Sequence, residues 1–128
     1  MSHKTIAVYR SILVARMNAC FGVVGYLYGA KPKLGTLPGK SFTHSEWSGF
    51  VRWILYSATG GKVTLPQGSA YQNAFCQYNG FKSVPYSDCA KMDSILRIAF
   101  MRPHNGIGHV VLAMNGRSIE CCGSKGVC

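Results

Sequence analysis

Apolar residues recur at every third or fourth position over residues 4–24, where basic residues interrupt the stripe and a glycine ends it. This period is typical of an amphipathic helix and predicts a first helix over that range. The next stretch, "GYLYGAKPKLGTLPGKSF", contains four glycines and two prolines. Because glycine and proline at this density interrupt regular structure, residues 25–42 are predicted as a loop.

A second apolar stripe lies in the middle of the chain, within "THSEWSGFVRWILYSATGG". Thr43 or Ser45 is a candidate N-cap for a helix there, and the glycine pair at the end is a stop signal. The stripe predicts a short central helix, and its buried side is formed by Phe50, Val51, Ile54 and Leu55. A helix start of this kind presents a side chain for chemistry, and the residue at that place is Trp47.

The hydrophobic period changes in the second half of the chain. A brief helix is predicted over residues 69–78, before a turn at "NG". Residues 94–101, 108–116 and 117–122 are predicted as strands, the last two joined by a tight Asn115-Gly116 hairpin. Helices followed by an antiparallel sheet predict the α+β class, and 128 residues without an internal repeat predict one domain over residues 1–128.

The chain is strongly basic, with 14 Lys and Arg, 4 acids and a net charge of +10. We expect an anionic partner, and nucleic acid, a phospholipid surface and an acidic bacterial cell wall all qualify. The basic residues are spread singly, without interleaved aromatics, so nucleic acid is not the favoured partner. No run of 18 apolar residues is present, and Arg10 and Arg16 interrupt the apolar core that a signal peptide needs, so neither a transmembrane segment nor a simple export signal is predicted.

The cysteines do not follow a metal-binding spacing. They are Cys20, Cys76, Cys89, Cys121, Cys122 and Cys128. No pair has C-x-x-C spacing and no histidine set accompanies them, so no metal site is predicted. We expect mostly free, buried thiols with at most one disulfide. The terminal position of Cys128 suggests a longer chain that was cut, or a chain that ends within a strand.

A histidine and an acid are predicted to meet across the hairpin. Counting inward from the turn, residue 114 pairs with 117 and 112 with 119, which places Glu120 diagonally beside His109 on one face of the sheet. A cysteine peptidase needs such a general base, a polar group that orients it, and a thiol at a helix N-terminus. A lone strand histidine is more often a packing residue, so spacing alone leaves both interpretations open. The histidines at positions 3, 44 and 104 lie in loops or the terminal tail and are interpreted as ordinary surface residues.

Six segments between about residues 18 and 127 resemble, in order and spacing, the NlpC family of papain-like cell-wall peptidases. They are "GYLYG" at 25–29, "EWSGFVRWIL" at 46–55, "LPQGSAYQ" at 65–72, "MDSILRIAF" at 92–100, "GHVVLAMNGRSIEC" at 108–121 and "GSKGV" at 123–127. The resemblance implies a papain-like α+β fold of the NlpC type. It also implies hydrolysis of amide bonds in peptidoglycan stem peptides, commonly between D-glutamate and the diamino acid, through an acyl-enzyme and without metal or cofactor.

The resemblance assigns roles to individual residues. His109 corresponds to the general base and Glu120 to the group that orients it, on a hairpin one residue shorter than the family pattern. Tyr28 corresponds to the loop tyrosine that lines the cleft and helps to stabilise the oxyanion. Trp47 stands where the family has its nucleophilic cysteine. The other implied substrate-binding positions are Glu46, which replaces the usual aspartate, Ser48, Gly49 and Gly108.

Trp47 changes the functional expectation, because tryptophan has no nucleophilic atom and its indole would fill the space that the scissile carbonyl needs. Ser45 and Ser48 flank the position, but one residue along a helix turns a side chain by about 100 degrees, away from His109. The pattern places the nearest cysteines on other elements. The chain is therefore expected to be an inactive form of a peptidoglycan hydrolase, through mutation or as a natural pseudoenzyme that binds a wall peptide or a protein. Retention of the base, its orienting acid and Tyr28 favours recent loss.

The resemblance also sets expectations for partners and location. The expected partners are peptidoglycan stem peptides, together with an immunity or delivery protein. The expected place of action is the periplasm or the cell wall. Since no export signal is predicted, delivery would be by a phage particle, a lysis system or a secretion apparatus such as type VI.

Overall fold

The computed structural model describes residues 5–101, 108–122 and 126–127, and in it two short strands lie between the first two helices while the other strands follow the last helix, so the predicted order of helices and then strands is only partly observed. The helices are α1 (Arg10–Cys20), α2 (Trp47–Ala58) and α3 (Ser69–Tyr78), with a 3-10 helix over Tyr86–Ala90. The strands are β1 (Gly25–Tyr26), β2 (His44–Ser45), β3 (Arg97–Met101), β4 (His109–Met114), β5 (Arg117–Ile119), β6 (Cys121–Cys122) and β7 (Gly126–Val127). The described chain is a small mixed α/β domain, compatible with the predicted α+β class.

The strands form small separate sheets. β1 and β2 pair in parallel, β3, β4 and β5 form an antiparallel sheet in that order, and β6 pairs antiparallel with β7. Leu112 lies opposite Ile119 and Met114 opposite Arg117, so the register predicted across the hairpin is confirmed. The turn residue Asn115 has a φ of 54°, a left-handed value that tight hairpins of this kind require.

The central helix α2 organises the hydrophobic core, as its apolar pattern predicts. Eight of its twelve residues are buried, and Phe50, Trp53 and Ile54 are completely enclosed. The helix packs against both α1 and β4. Trp53 also donates its Nε1–H to the carbonyl oxygen of Thr36 at 2.8 Å. The core therefore fixes the long segment that precedes α2 as well as the helices and the sheet.

The predicted first helix was too long at both ends. α1 begins at Arg10 because the backbone N–H of Tyr9 donates to the carbonyl of Ala58 at the end of α2, at 2.7 Å. It ends at Cys20, and the chain then turns through Gly22, whose φ is 72°. At the N-terminal end, a bond to α2 therefore replaces the predicted helical turn, and a periodicity argument cannot detect such a contact.

Two other local predictions were wrong. The stretch predicted as loop contains β1, whose Gly25 lies opposite His44 of β2. The predicted strand over residues 117–122 is interrupted at Glu120, which lies between β5 and β6. This break frees the Glu120 carboxylate from a continuous strand and directs it towards the start of β4.

The predicted N-cap of α2 was also wrong. The N-cap residue is Glu46, and no side chain caps the first N–H groups. Ser45 donates its hydroxyl to the carbonyl of Glu46 at 2.9 Å, and the Thr43 hydroxyl bonds to the neighbouring His44 ring. The first turn of α2 therefore keeps N–H groups that no side chain of the described residues caps.

Candidate functional site

Trp47 is the first residue of α2, and its half-buried indole lies between two other rings. Its ring centroid is 5.4 Å from that of Tyr26, with the planes 30° apart. It is 4.8 Å from the ring of His109, which it meets edge to face at 88°. Because α2 begins here, the positive end of the helix dipole is directed at this place. The indole of Trp47 has no ionisable or nucleophilic atom that this dipole could stabilise.

His109 begins β4, and Glu120 holds its imidazole. His109 Nε2 pairs with Glu120 Oε2, which confirms the prediction that these two side chains are neighbours. The side chains are 23% and 29% exposed, so the pair is partly sheltered from water. The other ring nitrogen, Nδ1, is buried and has no hydrogen-bond partner among the described residues.

This arrangement leaves one imidazole nitrogen free for proton transfer. A carboxylate on one ring nitrogen fixes the orientation of the ring and stabilises the imidazolium that forms when the other nitrogen accepts a proton. The ring faces Trp47, whose indole has no group that such a base activates. The His109–Glu120 pair thus lies beside the first residue of α2, and its unpartnered Nδ1 has no described side chain with which to exchange a proton.

Glu46 connects the start of α2 to the preceding loop. Its carboxylate accepts hydrogen bonds from Ser48 Oγ at 2.8 Å and from the Gly29 N–H at 3.1 Å, and it pairs with Lys31 Nζ at 3.0 Å. Burial acts to raise the pKa of Glu46, but these partners outweigh it, so the pKa is lowered from its ordinary value. The Glu46 carboxylate is consequently engaged within the protein, although the resemblance implied a substrate-binding role for it.

The other implied substrate-binding residues of the helix start are packed against neighbouring segments. Ser48 is buried, and Gly49 lies so close to the loop that an added Cβ would be 3.0 Å from the carbonyl oxygen of Ala30. An added Cβ on Gly108 would collide with Oγ of Ser69 at the start of α3. In this structure, these positions allow close packing around the site instead of presenting side chains to a ligand.

Tyr26 of β1, and not Tyr28, is the tyrosine whose ring lies against Trp47. Tyr28 is 72% exposed. Burial, and then the nearby Glu46 carboxylate, raise the pKa of Tyr26, so its phenol stays protonated at neutral pH. Sequence reasoning missed Tyr26 because β1 has only two residues, too few for a visible alternation.

Gln72 is a second residue that sequence reasoning did not assign to the site. It is fully buried in α3, and its Nε2 donates to the carbonyl oxygens of Ser48 at 2.9 Å and Pro66 at 3.0 Å. Its Oε1 has no hydrogen-bond partner within the described chain. Gln72 of α3 therefore fixes the first turn of α2 through its hydrogen bond to the Ser48 carbonyl. The sequence does carry a signal for Gln72, because it is the polar residue that ends the "LPQGSAYQ" segment.

A groove of about 510 Å³ opens beside the His109–Glu120 pair. One wall is the face of β4 that carries His109, Val111 and Ala113, and the opposite wall includes Tyr86 of the 3-10 helix. Arg117 adds a positive charge to the lining. A groove of this size, mostly apolar with a few polar groups, is typical of a small-ligand or peptide site.

The described cysteines all lie outside α2. Cys20, Cys76, Cys89 and Cys121 are free thiols, in agreement with the prediction, whereas the Cys122 side chain and Cys128 lie outside the described part of the structure. Burial, with a contribution from Cys121, raises the pKa of Cys20 to about 12. Burial, with a contribution from Glu120, raises the pKa of Cys121 to about 11. Both thiols are therefore protonated and sheltered at neutral pH.

Other sequence expectations concern metals, membranes and the remaining histidines. Within residues 5–101, 108–122 and 126–127, no three His, Cys, Asp or Glu side chains form a group that could hold a metal ion. No helix in that part of the chain has the length and apolarity to span a bilayer. His44 is exposed, whereas His3 and His104 lie outside the described residues.

No protein-family model matches the chain, and neither a curated protein nor a solved structure matches it. The interpretation of the site therefore depends on its geometry and on the motifs in the sequence.

Proposed function

We propose that this chain is a papain-like domain of the NlpC type, with a site of the kind that hydrolyses amide bonds in peptidoglycan stem peptides. Position 47 is the place of the nucleophile in this proposal, His109 is the general base and Glu120 orients it. Trp47 occupies the nucleophile position, so the chain as it stands has no covalent chemistry there. The net charge of +10 suits an anionic bacterial wall as the surface on which the domain acts.

One observation carries the proposal: next to the first residue of a helix, the Nδ1 of a carboxylate-held histidine is buried and has no hydrogen-bond partner among the residues that the structure describes. In a cysteine peptidase, the thiol at the helix start would be the partner of that nitrogen. The helix dipole would favour the thiolate, and uncapped N–H groups of the first turn could stabilise an oxyanion. Each part of this arrangement except the thiol has a counterpart among the described residues.

The reaction expected when a cysteine occupies position 47 follows from these roles. The imidazole takes the thiol proton, and the sulfur attacks the carbonyl carbon of the amide. The imidazolium then gives its proton to the leaving amine, which departs as the acyl-enzyme forms. Water, deprotonated by the same imidazole, attacks the acyl-enzyme and releases the acid and the thiol. Glu120 accepts the hydrogen bond of the imidazole and stabilises the imidazolium.

The test is to restore the thiol. We expect Trp47→Cys to release new amino groups from purified peptidoglycan above the level of the parent chain. In that background, His109→Ala should lower the rate by about two to four orders of magnitude, the usual contribution of a positioned base. His44→Ala, at an exposed histidine outside the site, is the matched control and should stay within about twofold of the Trp47→Cys rate.

Two results would count against the proposal. A folded Trp47→Cys variant that releases no amino groups would contradict the assignment of position 47 as the place of the nucleophile. A His109→Ala rate within about tenfold of the Trp47→Cys rate would show that His109 is only structural. Thermal unfolding of each variant distinguishes lost chemistry from lost folding.

A second candidate function is non-catalytic binding of a wall peptide or a protein partner. It is favoured by the position of Trp47, which packs against both Tyr26 and His109 while the neighbouring groove of about 510 Å³ remains open. This function predicts saturable binding of stem-peptide fragments by the parent chain. Ser118→Trp, on an exposed groove residue, should abolish binding, whereas Ser83→Trp, on an exposed residue outside the groove lining, should not. Equal binding by both variants would contradict it.

A further inference from the structure

A second concave site lies at the opposite end of α2, between that helix and α1. Its volume is about 450 Å³. The lining includes Ser11 and Arg16 from α1, and Tyr56, Ser57, Gly60 and Gly61 from the end of α2 and the following turn. We call this site the Arg16 pocket. Because α2 has twelve residues, the pocket lies about 16 Å along the helix from Trp47.

The guanidinium of Arg16 has no counterion in the described chain. Its Nε is buried and makes no hydrogen bond within residues 5–101, 108–122 and 126–127. The chain has only four acids, and each is already paired: Glu46 with Lys31, Asp88 with Lys91, Asp93 with Arg97, and Glu120 with His109. A buried donor without a partner is costly, so an acceptor atom placed at Arg16 would be stabilising.

The end of α2 does not supply that partner either. The carbonyl of Tyr56 accepts the N–H of Gly61 at 2.8 Å, and the carbonyl of Ser57 accepts the N–H of Gly60 at 3.3 Å. These bonds close the helix end on itself. The negative end of the helix dipole stabilises the Arg16 cation and opposes a bound anion, so the guanidinium and the pocket hydroxyls have to supply the attraction for an anionic group.

The remaining lining of the pocket suits an oxyanion. The hydroxyls of Ser11, Tyr56 and Ser57 are donors, and no acidic side chain lines the pocket. Gly35 also lines it, with a φ of 78°, and a Cβ built there would meet nothing within 4 Å. Because Gly35 has no side chain and nothing lies close to it, a ligand can approach its backbone closely.

We propose that the Arg16 pocket binds a phosphate group carried on a molecule larger than the bare ion. The guanidinium fork can donate to two oxygens of such a group, and the hydroxyls can donate to the others. The volume lies within the range of about 300–1,000 Å³ that is usual for small-ligand sites, which leaves room for the rest of the molecule. A carboxylate shares part of this chemistry, but it offers fewer acceptor oxygens to the same donors. This proposal does not rest on the proposed function of the Trp47 site.

The experiment follows the pocket by NMR while inorganic phosphate is added to the isotope-labelled full chain. We expect saturable shifts of the Arg16 Nε–H and of the Ser57, Gly60 and Gly61 amides, with weaker shifts for acetate at equal ionic strength. Arg16→Gln should weaken phosphate binding by at least about tenfold, because a charge-assisted fork is lost. Arg10→Gln is the matched control, since it removes the same charge from an exposed residue of the same helix and should change binding less than about twofold.

A second variant keeps the test decisive if Arg16→Gln does not fold. Ser57→Ala removes one pocket hydroxyl and should weaken phosphate binding by about three- to tenfold. Equal losses in Arg10→Gln and Arg16→Gln would overturn the proposal by showing diffuse attraction to a basic protein. Absence of shifts at the pocket amides in millimolar phosphate would overturn it as well. Tighter binding of acetate than of phosphate would overturn the assignment to phosphate.

Discussion

The two ends of α2 differ in the kind of polar atom that is left without a partner. At the N-terminal end, Glu46 has three partners and Glu120 holds His109, but His109 Nδ1 and Gln72 Oε1 have no partner within the described residues. At the C-terminal end, the Nε of Arg16 has no partner within the described residues, and the pocket beside it is open. The N-terminal end thus leaves acceptor atoms unpaired, because the carboxylate of Glu120 can only accept the proton of Nε2, whereas the C-terminal end leaves a donor unpaired.

The largest expected difference between the two ends concerns stability. Gln72→Ala removes the amide that supports the first turn of α2, leaves the Ser48 carbonyl without that donor and opens a small cavity. We expect it to lower the free energy of unfolding by about 2–3 kcal/mol in urea denaturation. Ser57→Ala, at the open end, should change it by less than about 0.5 kcal/mol. Equal effects of the two variants would show that the ends do not differ in structural importance.

A smaller effect is expected for the pH dependence of stability. The pKa of Glu46 is lowered in the folded chain, so its contribution is fully present above the ordinary glutamate pKa of about 4.3 and is lost as the pH falls through the lower, folded pKa. Glu46→Gln should therefore be less stable than the parent at pH 7, by about 1 kcal/mol. The difference should shrink as the pH falls from about 4.3 through the lower, folded pKa. If the difference in the free energy of unfolding between the parent and Glu46→Gln stayed constant from pH 7 to pH 3, this role of the carboxylate would be contradicted.

The sequence predicted best those elements whose signals are local. The predicted range 69–78 coincides with α3, because a left-handed Gly68 precedes it and an Asn-Gly turn follows it. The hairpin register was also predictable, since Asn115-Gly116 fixes a two-residue turn and every pair then follows by counting. The register places Glu120 near the start of β4, and the break in the strand at Glu120 lets its carboxylate reach His109.

The features that could not be predicted depend on contacts between distant segments. The start of α1 is set by a bond from Tyr9 to Ala58, 49 residues later in the chain. Tyr26 meets Trp47 through a two-residue strand that carries no periodic signal. The sequence also could not show that Arg16 has no carboxylate partner among the described residues. That conclusion requires the partner of each of the four acids, and only the structure identifies those partners.

The most direct test of the central claim, that position 47 is a nucleophile position beside a working base, needs no substrate. It is the rate at which iodoacetamide alkylates the thiol introduced by Trp47→Cys, followed by peptide mass spectrometry at pH 6 to 8. Cys20 and Cys121, with pKa values of about 12 and about 11, serve as unreactive internal references. We predict fast alkylation that His109→Ala slows by at least about tenfold, because the histidine and the helix start stabilise the thiolate. A thiol that reacts at the same slow rate with and without His109 would contradict the account.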